Sequence, residues 1–137
     1  MRFVDTSVLL YAIARDPAER AKADVANKLL SSRDLALSVQ VLQELYVQAT
    51  SDLHPDRLTH EQAAGLVESL RRFPVQETTV GLALAATDAV RRFQIPYWDA
   101  AILEAARLLE CGVVLSEDLA DGRNYFGLHV VNPFSGY

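Results

Sequence analysis

The sequence predicts an α/β fold in which a parallel sheet is covered by helices on both faces. Short apolar segments typical of buried strands recur at 2–4, 35–37, 113–115 and 129–131. Segments whose apolar residues repeat with helical spacing lie between them. Strands that alternate with helices form parallel sheets, and uninterrupted apolar strands need cover on both sides. Polar residues that directly follow these strands are therefore the first candidates for a functional role.

The chain opens as a strand, a polar turn and a helix. Arg2–Val4 is the strand, residues 5–7 form the turn, and the apolar residues of 8–13 predict the helix. Asp16 followed by Pro17 is typical of an N-cap and a first helical position. A second helix is therefore expected from there to about residue 32.

The middle of the chain repeats this alternation. Leu35–Leu37 is expected to be a short buried strand, and Ser38 is expected to cap a helix that runs through Tyr46. A polar loop follows over 51–57. Thr59 and Gln62 have the spacing of a capping box, which predicts a helix that ends near residue 73.

Two helices and two strands are expected in the last part of the chain. A helix of small residues extends from about 80 to 92, and Pro96 separates it from an alanine-rich helix over 98–110. Gly112 is expected to end that helix, because glycine is common just after a helix C-terminus. The strand at 113–115, a polar loop over 116–124 and the final strand at 129–131 complete the prediction.

Length and composition fit one compact domain over residues 1–137. The chain has 137 residues, of which 50% are hydrophobic, and this is enough for one core but not for two domains. It has no run of about 18 apolar residues and no signal-peptide pattern, so we expect no membrane segment and a cytoplasmic location. The lone Cys111 excludes an intramolecular disulfide and a multi-cysteine zinc site, and is expected to be buried.

The net charge of −5 argues against a protein that binds nucleic acid mainly through basic side chains. An acidic protein can still act on RNA if divalent cations neutralise a group of carboxylates. The pairs Arg71-Arg72 and Arg91-Arg92 lie near predicted helix ends, where they either meet phosphate or complement the helix dipole. The sequence leaves both explanations open.

Four acidic residues stand where a parallel sheet collects its ligands. Asp5 follows the first strand, Asp118 follows the strand at 113–115, Glu44 lies in the helix after the second strand, and Asp99 lies near a helix start. Carboxylates in apolar surroundings need partners, and a hard divalent cation such as Mg²⁺ or Mn²⁺ neutralises a group of them. Each acid alone also has an ordinary explanation as a helix-terminal, helix-surface or turn residue.

Four segments, taken in chain order, resemble the PIN-domain family. They are Val4-Asp5-Thr6-Ser7, Val41-Leu42-Gln43-Glu44-Leu45, Tyr97-Trp98-Asp99-Ala100-Ala101-Ile102 and Leu115-Ser116-Glu117-Asp118. The resemblance covers essentially the whole chain and implies a single PIN domain with a PIN-like sheet. It also implies a ribonuclease that depends on Mg²⁺ or Mn²⁺ and hydrolyses RNA with a water nucleophile. Short single-domain members of this family from bacteria and archaea resemble VapC toxins.

Carried onto this sequence, the resemblance makes Asp5, Glu44 and Asp99 catalytic residues and metal ligands. Asp118 completes the site, either directly or through a bound water. Glu117 or Asp121 is an alternative or an addition to Asp118 at the metal.

Three hydroxyl residues are expected to support the acids. Ser116 corresponds to the hydroxyl residue that often precedes the fourth acid of the family. Thr6 and Ser7 either orient Asp5 or a metal-bound water, or serve only as caps of the following helix. His54, His60 and His129 lie beside none of the acids, so we expect structural or surface roles for them.

The expected partners are a cognate antitoxin protein and an RNA substrate, and we also expect a homodimer. VapC toxins are held inactive by an antitoxin segment that lies along a helix groove, and an acidic pocket suits a basic side chain from that segment. The apolar stripes at Leu9–Ile13 and at Leu66 and Leu70 either belong to the core or serve as docking surfaces. The loop at 51–59 and the arginine pairs are candidates for RNA contact.

Other α/β functions lack the residues they need. A phosphatase of the haloacid dehalogenase type would have an aspartate where Ser7 stands, and a phospho-receiver domain would have a late lysine, whereas the only lysines are Lys22 and Lys28. The sequence contains no P-loop, no dinucleotide fingerprint and no nucleophile elbow. The remaining alternative is a catalytically inactive PIN-like module that binds protein or RNA.

Overall fold

The computed structural model describes residues 1–135, which form a six-stranded sheet flanked by helices. The sheet order is β3-β2-β1-β4-β6-β5, and every neighbouring pair is parallel except β5 with β6. The predicted α/β fold with a largely parallel sheet is confirmed. The predicted single domain also includes residues 136 and 137, which lie outside the described part. The strands are β1 Arg2–Val4, β2 Leu35–Ser38, β3 Val75–Gln76, β4 Val113–Leu115, β5 Asn124–Tyr125 and β6 Leu128–Val131.

Six α-helices connect and cover the strands. Short 3₁₀ turns at Pro17–Glu19 and Leu70–Arg72 precede α2 and follow α4. Helix α5 packs along α6, α1 packs on α3, and α6 lies against β2 and β4. The helices are α1 Thr6–Tyr11, α2 Arg20–Leu30, α3 Val39–Ala49, α4 His60–Ser69, α5 Val80–Phe93 and α6 Tyr97–Leu108.

The helix starts follow the capping residues that the sequence shows. The side chain of Ser38 accepts a backbone N–H at the start of α3, as predicted, whereas Asp16 caps the 3₁₀ turn Pro17–Glu19 and α2 begins only at Arg20. Thr59 and Gln62 bond each other's backbone N–H groups at 3.2 and 2.9 Å, which is the predicted capping box. These side chains satisfy backbone donors that the first helical turn cannot pair, so they fix where each helix begins.

The predicted stop of α6 at Gly112 is wrong. The helix ends at Leu108, and the residue in the left-handed conformation is Glu110, with φ 59°. The N–H groups of Glu110 and Cys111 bond back to the carbonyl groups of Arg107 and Ala106, which is the Schellman pattern. The helix therefore closes two residues before the glycine.

The two edge strands were not expected from the sequence. Strand β3 has only the residues Val75–Gln76, and β5 begins at Asn124, which the prediction had assigned to a polar loop. Each edge strand is held by one longer neighbour, β2 for β3 and β6 for β5.

The core lies on both sides of the sheet. All four residues of β2 are buried, and consecutive side chains of a strand point to opposite faces. Both faces of this strand are therefore covered, as the prediction requires. Leu9 and Leu70 are only 3% and 1% exposed and belong to this core, and Leu10 and Leu66 pack against it while partly exposed, so the core explanation holds for these four residues. Cys111 is buried, as expected.

Among the helices of residues 1–135, none combines the length and the apolar character that crossing a bilayer requires.

Candidate active site

The carboxyl ends of β1 and β4 meet at the point where the strand order reverses. Strand β1 lies between β2 and β4, so the chain leaves β1 first to one side and later returns on the other. The N–H of Asp5, directly after β1, donates to the carbonyl of Leu115 at the end of β4 over 2.9 Å. Crevices at such switch points are the usual ligand sites of α/β sheets.

A cavity of about 460 Å³ opens at this switch point. Asp5, Glu44, Asp99 and Asp118 all line it, together with the hydroxyl residues Thr6 and Ser7. The fold thus brings together four acids that lie on different elements and far apart in sequence. Within residues 1–135, the carboxyl residues of the lining are Asp5, Asp16, Glu19, Glu44, Asp56, Asp99, Glu117 and Asp118.

Asp5 is the most buried of the four acids, with 8% of its surface exposed. Its Oδ1 accepts the N–H of Thr6 and its Oδ2 accepts the hydroxyl of Ser116, both at 2.8 Å. Burial raises the pKa of Asp5 to about 6, and the negative charges of Glu44 and Asp118 act in the same direction. The two hydrogen bonds oppose this shift because they stabilise the charged form. The carboxylate is therefore firmly oriented but incompletely neutralised.

Glu44 is held by two side chains, one on each oxygen. Its Oε2 accepts the hydroxyl of Thr6 at 2.9 Å, and its Oε1 accepts Nε2 of Gln40 at 2.8 Å. Gln40 lies one helical turn earlier on α3, and its Nε2 also donates to the carbonyl of Trp98 over 3.2 Å. Thr6 thus connects Asp5 with Glu44, and Gln40 connects Glu44 with the start of α6.

Asp99 and Asp118 are more accessible than Asp5. Burial raises the pKa of Asp99, and the charges of Asp118 and Glu44 raise it further. In residues 1–135, neither Asp99 nor Asp118 forms an ion pair, and no side-chain hydrogen bond satisfies either carboxylate. Their charges are available to a ligand.

Ser116 and Ser7 organise the loop after β4. The fully buried hydroxyl of Ser116 accepts the N–H groups of Asp118 and Leu119, both at 3.1 Å. The hydroxyl of Ser7 accepts the N–H of Glu117 at 3.2 Å. The supporting residues predicted from the sequence therefore contact the acids or the loop that carries them.

Unlike Asp118, Glu117 is bonded to other side chains and Asp121 lies outside the cavity lining. Glu117 accepts Nζ of Lys22 and the hydroxyl of Tyr11, both at 2.7 Å. Burial raises the pKa of Glu117, but these two bonds and the Lys22 charge outweigh it, so the net change is downward. Asp121 lies outside the cavity lining, where it accepts the N–H of Asn132 at 2.8 Å.

The sequence interpretation gave no site role to Gln40, Lys22, Tyr11 or Trp98, although Gln40, Tyr11 and Trp98 line the cavity and Lys22 bonds to Glu117 in that lining. Gln40 lies four residues before Glu44 and thus on the same face of a helix, and Trp98 directly precedes Asp99. Those two positions could have been inferred from spacing. Lys22 and Tyr11 reach Glu117 only through the tertiary fold.

The loop that contains His54 lies at the cavity, whereas the arginine pairs do not. His54 lines the cavity, although no role at the site was expected for it, and its loop neighbours Pro55 and Asp56 line it as well. Among the described residues no lysine or arginine lines the cavity, so the arginine pairs lie elsewhere. Arg72 donates to the carbonyls of Ser69 and Leu30, and this contact completes a helix end as the dipole explanation expects.

The donor set fits a hard divalent cation, although it is not assembled as a ligand cage. Mg²⁺ and Mn²⁺ prefer carboxylate and hydroxyl oxygens, which dominate this lining. Within residues 1–135, no group of three or more Asp, Glu, His or Cys side chains lies close enough together to hold a metal ion.

A family model describing the PIN domain matches residues 2–120, and the chain belongs to the PIN domain family. No curated protein matches the sequence. Solved structures do match. A toxin–antitoxin complex from Klebsiella pneumoniae is 19% identical, with 98% of each chain covered and a TM-score of 0.71.

Two further solved structures share the fold. VapC20 from Mycobacterium tuberculosis, described as a toxin that cleaves the sarcin–ricin loop, is 19% identical, with 86% of this chain and 90% of that chain covered and a TM-score of 0.65. The DNA-bound VapBC complex from Salmonella typhimurium is 18% identical, with 94% and 95% covered and a TM-score of 0.63. At these identities the likeness shows a shared fold.

Proposed function

We propose that this protein is a metal-dependent endoribonuclease and the toxin component of a VapBC-type toxin–antitoxin pair. Asp5, Glu44, Asp99 and Asp118 are its proposed catalytic residues and its ligands for Mg²⁺ or Mn²⁺. The observation that carries this proposal is the meeting of these four acids in one cavity whose lining, in the described residues, contains no lysine or arginine. Uncompensated carboxylates at a sheet switch point create a strong preference for a cation.

The substrate class follows from the family and its solved members. The chain belongs to the PIN domain family, and one neighbour of the same fold is a toxin that cleaves the sarcin–ricin loop. Two others are toxin–antitoxin assemblies. RNA as substrate and an antitoxin as partner are the simplest functions consistent with these relatives.

The protein's own residues prepare the site before any substrate arrives. Thr6 fixes both Asp5 and Glu44, through its N–H and its hydroxyl. Ser116 fixes Asp5 and the backbone of the loop that carries Asp118. When bound, a divalent cation would supply activation of the attacking water and neutralisation of the charge that develops on the phosphoryl oxygens. Hydrogen bonds such as those of Thr6 and Ser116 hold metal ligands in a defined orientation.

Control by a partner fits the same electrostatics. An antitoxin segment that places a basic side chain in the cavity would neutralise these carboxylates and compete with the metal. A homodimer and a cytoplasmic location stay predictions.

The test is cleavage of a panel of cellular RNAs by the purified protein with Mg²⁺ or Mn²⁺, and again with EDTA. We expect cleavage that depends on the metal and is lost in Asp5→Asn and in Asp99→Asn. Asp24→Asn, at an exposed position of α2 outside the cavity lining, is the matched control and should cleave normally. Cleavage that persists in both site variants would come from a contaminant.

The inactive binding module predicts the opposite pattern. In that case no RNA of the panel is cut, and Asp5→Asn leaves the effect of the protein on cell growth unchanged. For the proposed toxin, Asp5→Asn removes growth inhibition while the protein still accumulates to the same level.

A further inference from the structure

Trp98 is a large aromatic side chain that the fold leaves open at the edge of the acidic cavity. It is the only tryptophan of the chain, 65% of its surface is exposed, and it belongs to the cavity lining. The ring of Tyr97 meets it edge-on, with centroids 4.9 Å apart and an interplanar angle of 77°. An exposed aromatic ring beside a polar site offers a flat surface on which a planar ligand can stack.

The backbone of Trp98 is fixed relative to the acids. Trp98 is the second residue of α6 and directly precedes Asp99. Its carbonyl accepts Nε2 of Gln40 at 3.2 Å, and the same nitrogen donates to Glu44 at 2.8 Å. A group stacked on the indole would therefore lie at a defined place relative to Glu44 and Asp99.

Because the cavity is acidic, affinity for RNA has to come from contacts other than those of basic side chains. Affinity for RNA normally comes from lysine and arginine, but within the described chain none of these lines the cavity. Stacking of a base on an aromatic ring supplies affinity without a positive charge. Such a contact would complement an acidic site that binds the phosphodiester only in the presence of a cation.

Within the described residues, Tyr11 is the other tyrosine, phenylalanine or tryptophan of the lining, and its ring is already engaged. The ring of Tyr11 packs edge-on against Phe134 at 4.8 Å, and Nζ of Lys22 lies 4.7 Å from its centroid. The hydroxyl of Tyr11 is bonded to Glu117. Trp98 is thus the aromatic side chain of the lining best placed to receive a planar ligand.

We propose that Trp98 is a nucleobase-binding residue, on which an unpaired base next to the scissile phosphodiester stacks. The inference rests on the proposed ribonuclease function and adds a substrate class to it, namely RNA that is single-stranded at the cleavage site. A base within a duplex has both faces covered by its neighbours, whereas a loop or single-stranded base can turn out onto an aromatic ring.

The fluorescence of the protein tests this contact directly, because the single tryptophan makes the indole signal specific for Trp98. The protein is titrated with a short oligoadenylate, with Ca²⁺ in place of Mg²⁺ and with the oligonucleotide checked for intactness. The same oligonucleotide annealed to its oligouridylate complement is the control. We expect saturable quenching by the single strand and little or none by the duplex, whose bases are covered on both faces.

Cleavage kinetics provide the second measurement. Trp98→Ala is expected to raise KM about tenfold with little change in kcat, which corresponds to the loss of one base-stacking contact. Trp98→Phe should recover most of the affinity, because a smaller ring still stacks. Leu84→Ala, at an exposed apolar position of α5 outside the cavity lining, should behave as the wild type.

The outcomes separate this inference from the function beneath it. An active wild type whose fluorescence is unchanged by RNA, with an unchanged KM in Trp98→Ala, would overturn the base-binding role alone. So would a Trp98→Ala variant that cleaves RNA normally but escapes its antitoxin, because the indole would then bind protein. A wild type whose fluorescence is quenched by the single strand and not by the duplex, but which never cleaves RNA, would keep the nucleobase contact and contradict the ribonuclease proposal.

Discussion

The hydroxyl of Ser116 donates a hydrogen bond of 2.8 Å to Oδ2 of Asp5 and joins the carboxyl ends of β4 and β1. The same oxygen accepts the N–H groups of Asp118 and Leu119. One buried hydroxyl therefore orients one acid of the cavity and shapes the loop that carries another.

Replacing Asp5 by asparagine is expected to stabilise the metal-free protein. The pKa of Asp5 is about 6 in the folded protein, against 3.8 for an ordinary aspartate, so the folded state binds this proton more tightly. The protonated Asp5 carboxyl group makes its full contribution to stability below pH 3.8. This contribution is lost as the pH rises through about 6. At neutral pH the ionised group costs about 3 kcal/mol, which Asp5→Asn removes at the expense of about 1 kcal/mol for the Ser116 hydrogen bond that an amide nitrogen does not accept.

Thermal unfolding in EDTA measures this effect. Asp5→Asn should unfold several degrees above the wild type at neutral pH, and the difference should shrink in mildly acidic buffer. Mn²⁺ should then raise the Tm of the wild type but not that of the variant. A variant less stable than the wild type at neutral pH, with EDTA present, would contradict this account of the Asp5 environment.

Removing the hydroxyl in Ser116→Ala is expected to weaken both the fold and the metal site. Two N–H groups lose their acceptor and Asp5 loses a donor, so we expect a loss of about 2 kcal/mol in the free energy of unfolding. We also expect weaker Mn²⁺ binding in calorimetric titrations, because the carboxylate is no longer oriented.

Ser38→Ala is the matched control for Ser116→Ala. Ser38 is also a buried serine at the end of a strand, and its hydroxyl caps α3 instead of contacting an acid. Its loss should cost about 1 kcal/mol of stability and leave Mn²⁺ affinity unchanged. If the two variants bound Mn²⁺ equally well, the link between Ser116 and the site would be purely structural.

Adjacent carboxyl residues of the loop after β4 are expected to behave differently. Glu117 is bonded to Lys22 and Tyr11, whereas the carboxylate of Asp118 faces the cavity without a side-chain partner in the described chain. Asp118→Asn should therefore reduce Mn²⁺ affinity and cleavage about tenfold or more, as expected for a lost site contact. Glu117→Gln should mainly lower stability, by about 1 kcal/mol, because the ion pair with Lys22 is partly exposed.

Calorimetry with Mn²⁺ and urea unfolding of the two variants distinguish these roles. Weaker metal binding in Glu117→Gln than in Asp118→Asn would mean that Glu117 leaves Lys22 and supplements or replaces Asp118 at the site. Asp121→Asn, outside the cavity lining, should bind Mn²⁺ like the wild type.

The parts of the fold that were predictable are those determined locally. Strand β2 is an uninterrupted apolar segment, and Ser38, Thr59 and Gln62 cap helices through contacts within three residues. The edge strands β3 and β5 carry no such signal, because two residues cannot show a periodic pattern. Their pairing is determined by the neighbouring strand, which a sequence pattern does not reveal.

The site, too, has residues that the sequence indicated and contacts that only the fold reveals. The four acids were visible because each follows a strand or interrupts an apolar helix face, and the topology brings such positions together. The engagement of Glu117 was not visible, because Tyr11 and Lys22 lie 106 and 95 positions away in the chain. The sequence therefore indicated which carboxylates to consider, and the fold shows that Glu117 already has partners.

The end of α6 gives a prediction about the backbone itself. Glu110 adopts φ 59°, a left-handed conformation that favours glycine and is costly for a residue with a Cβ. We expect Glu110→Gly to raise the free energy of unfolding by up to about 1 kcal/mol, because the Schellman closure then carries no strain.

Gly112 lies outside the left-handed region, and a Cβ there would meet nothing within 4 Å. Gly112→Ala should thus be stabilising too, by about 0.5 kcal/mol, because the unfolded chain loses freedom. Urea unfolding checks both variants, and a destabilised Glu110→Gly would show that the Glu110 side chain contributes more than its conformation costs.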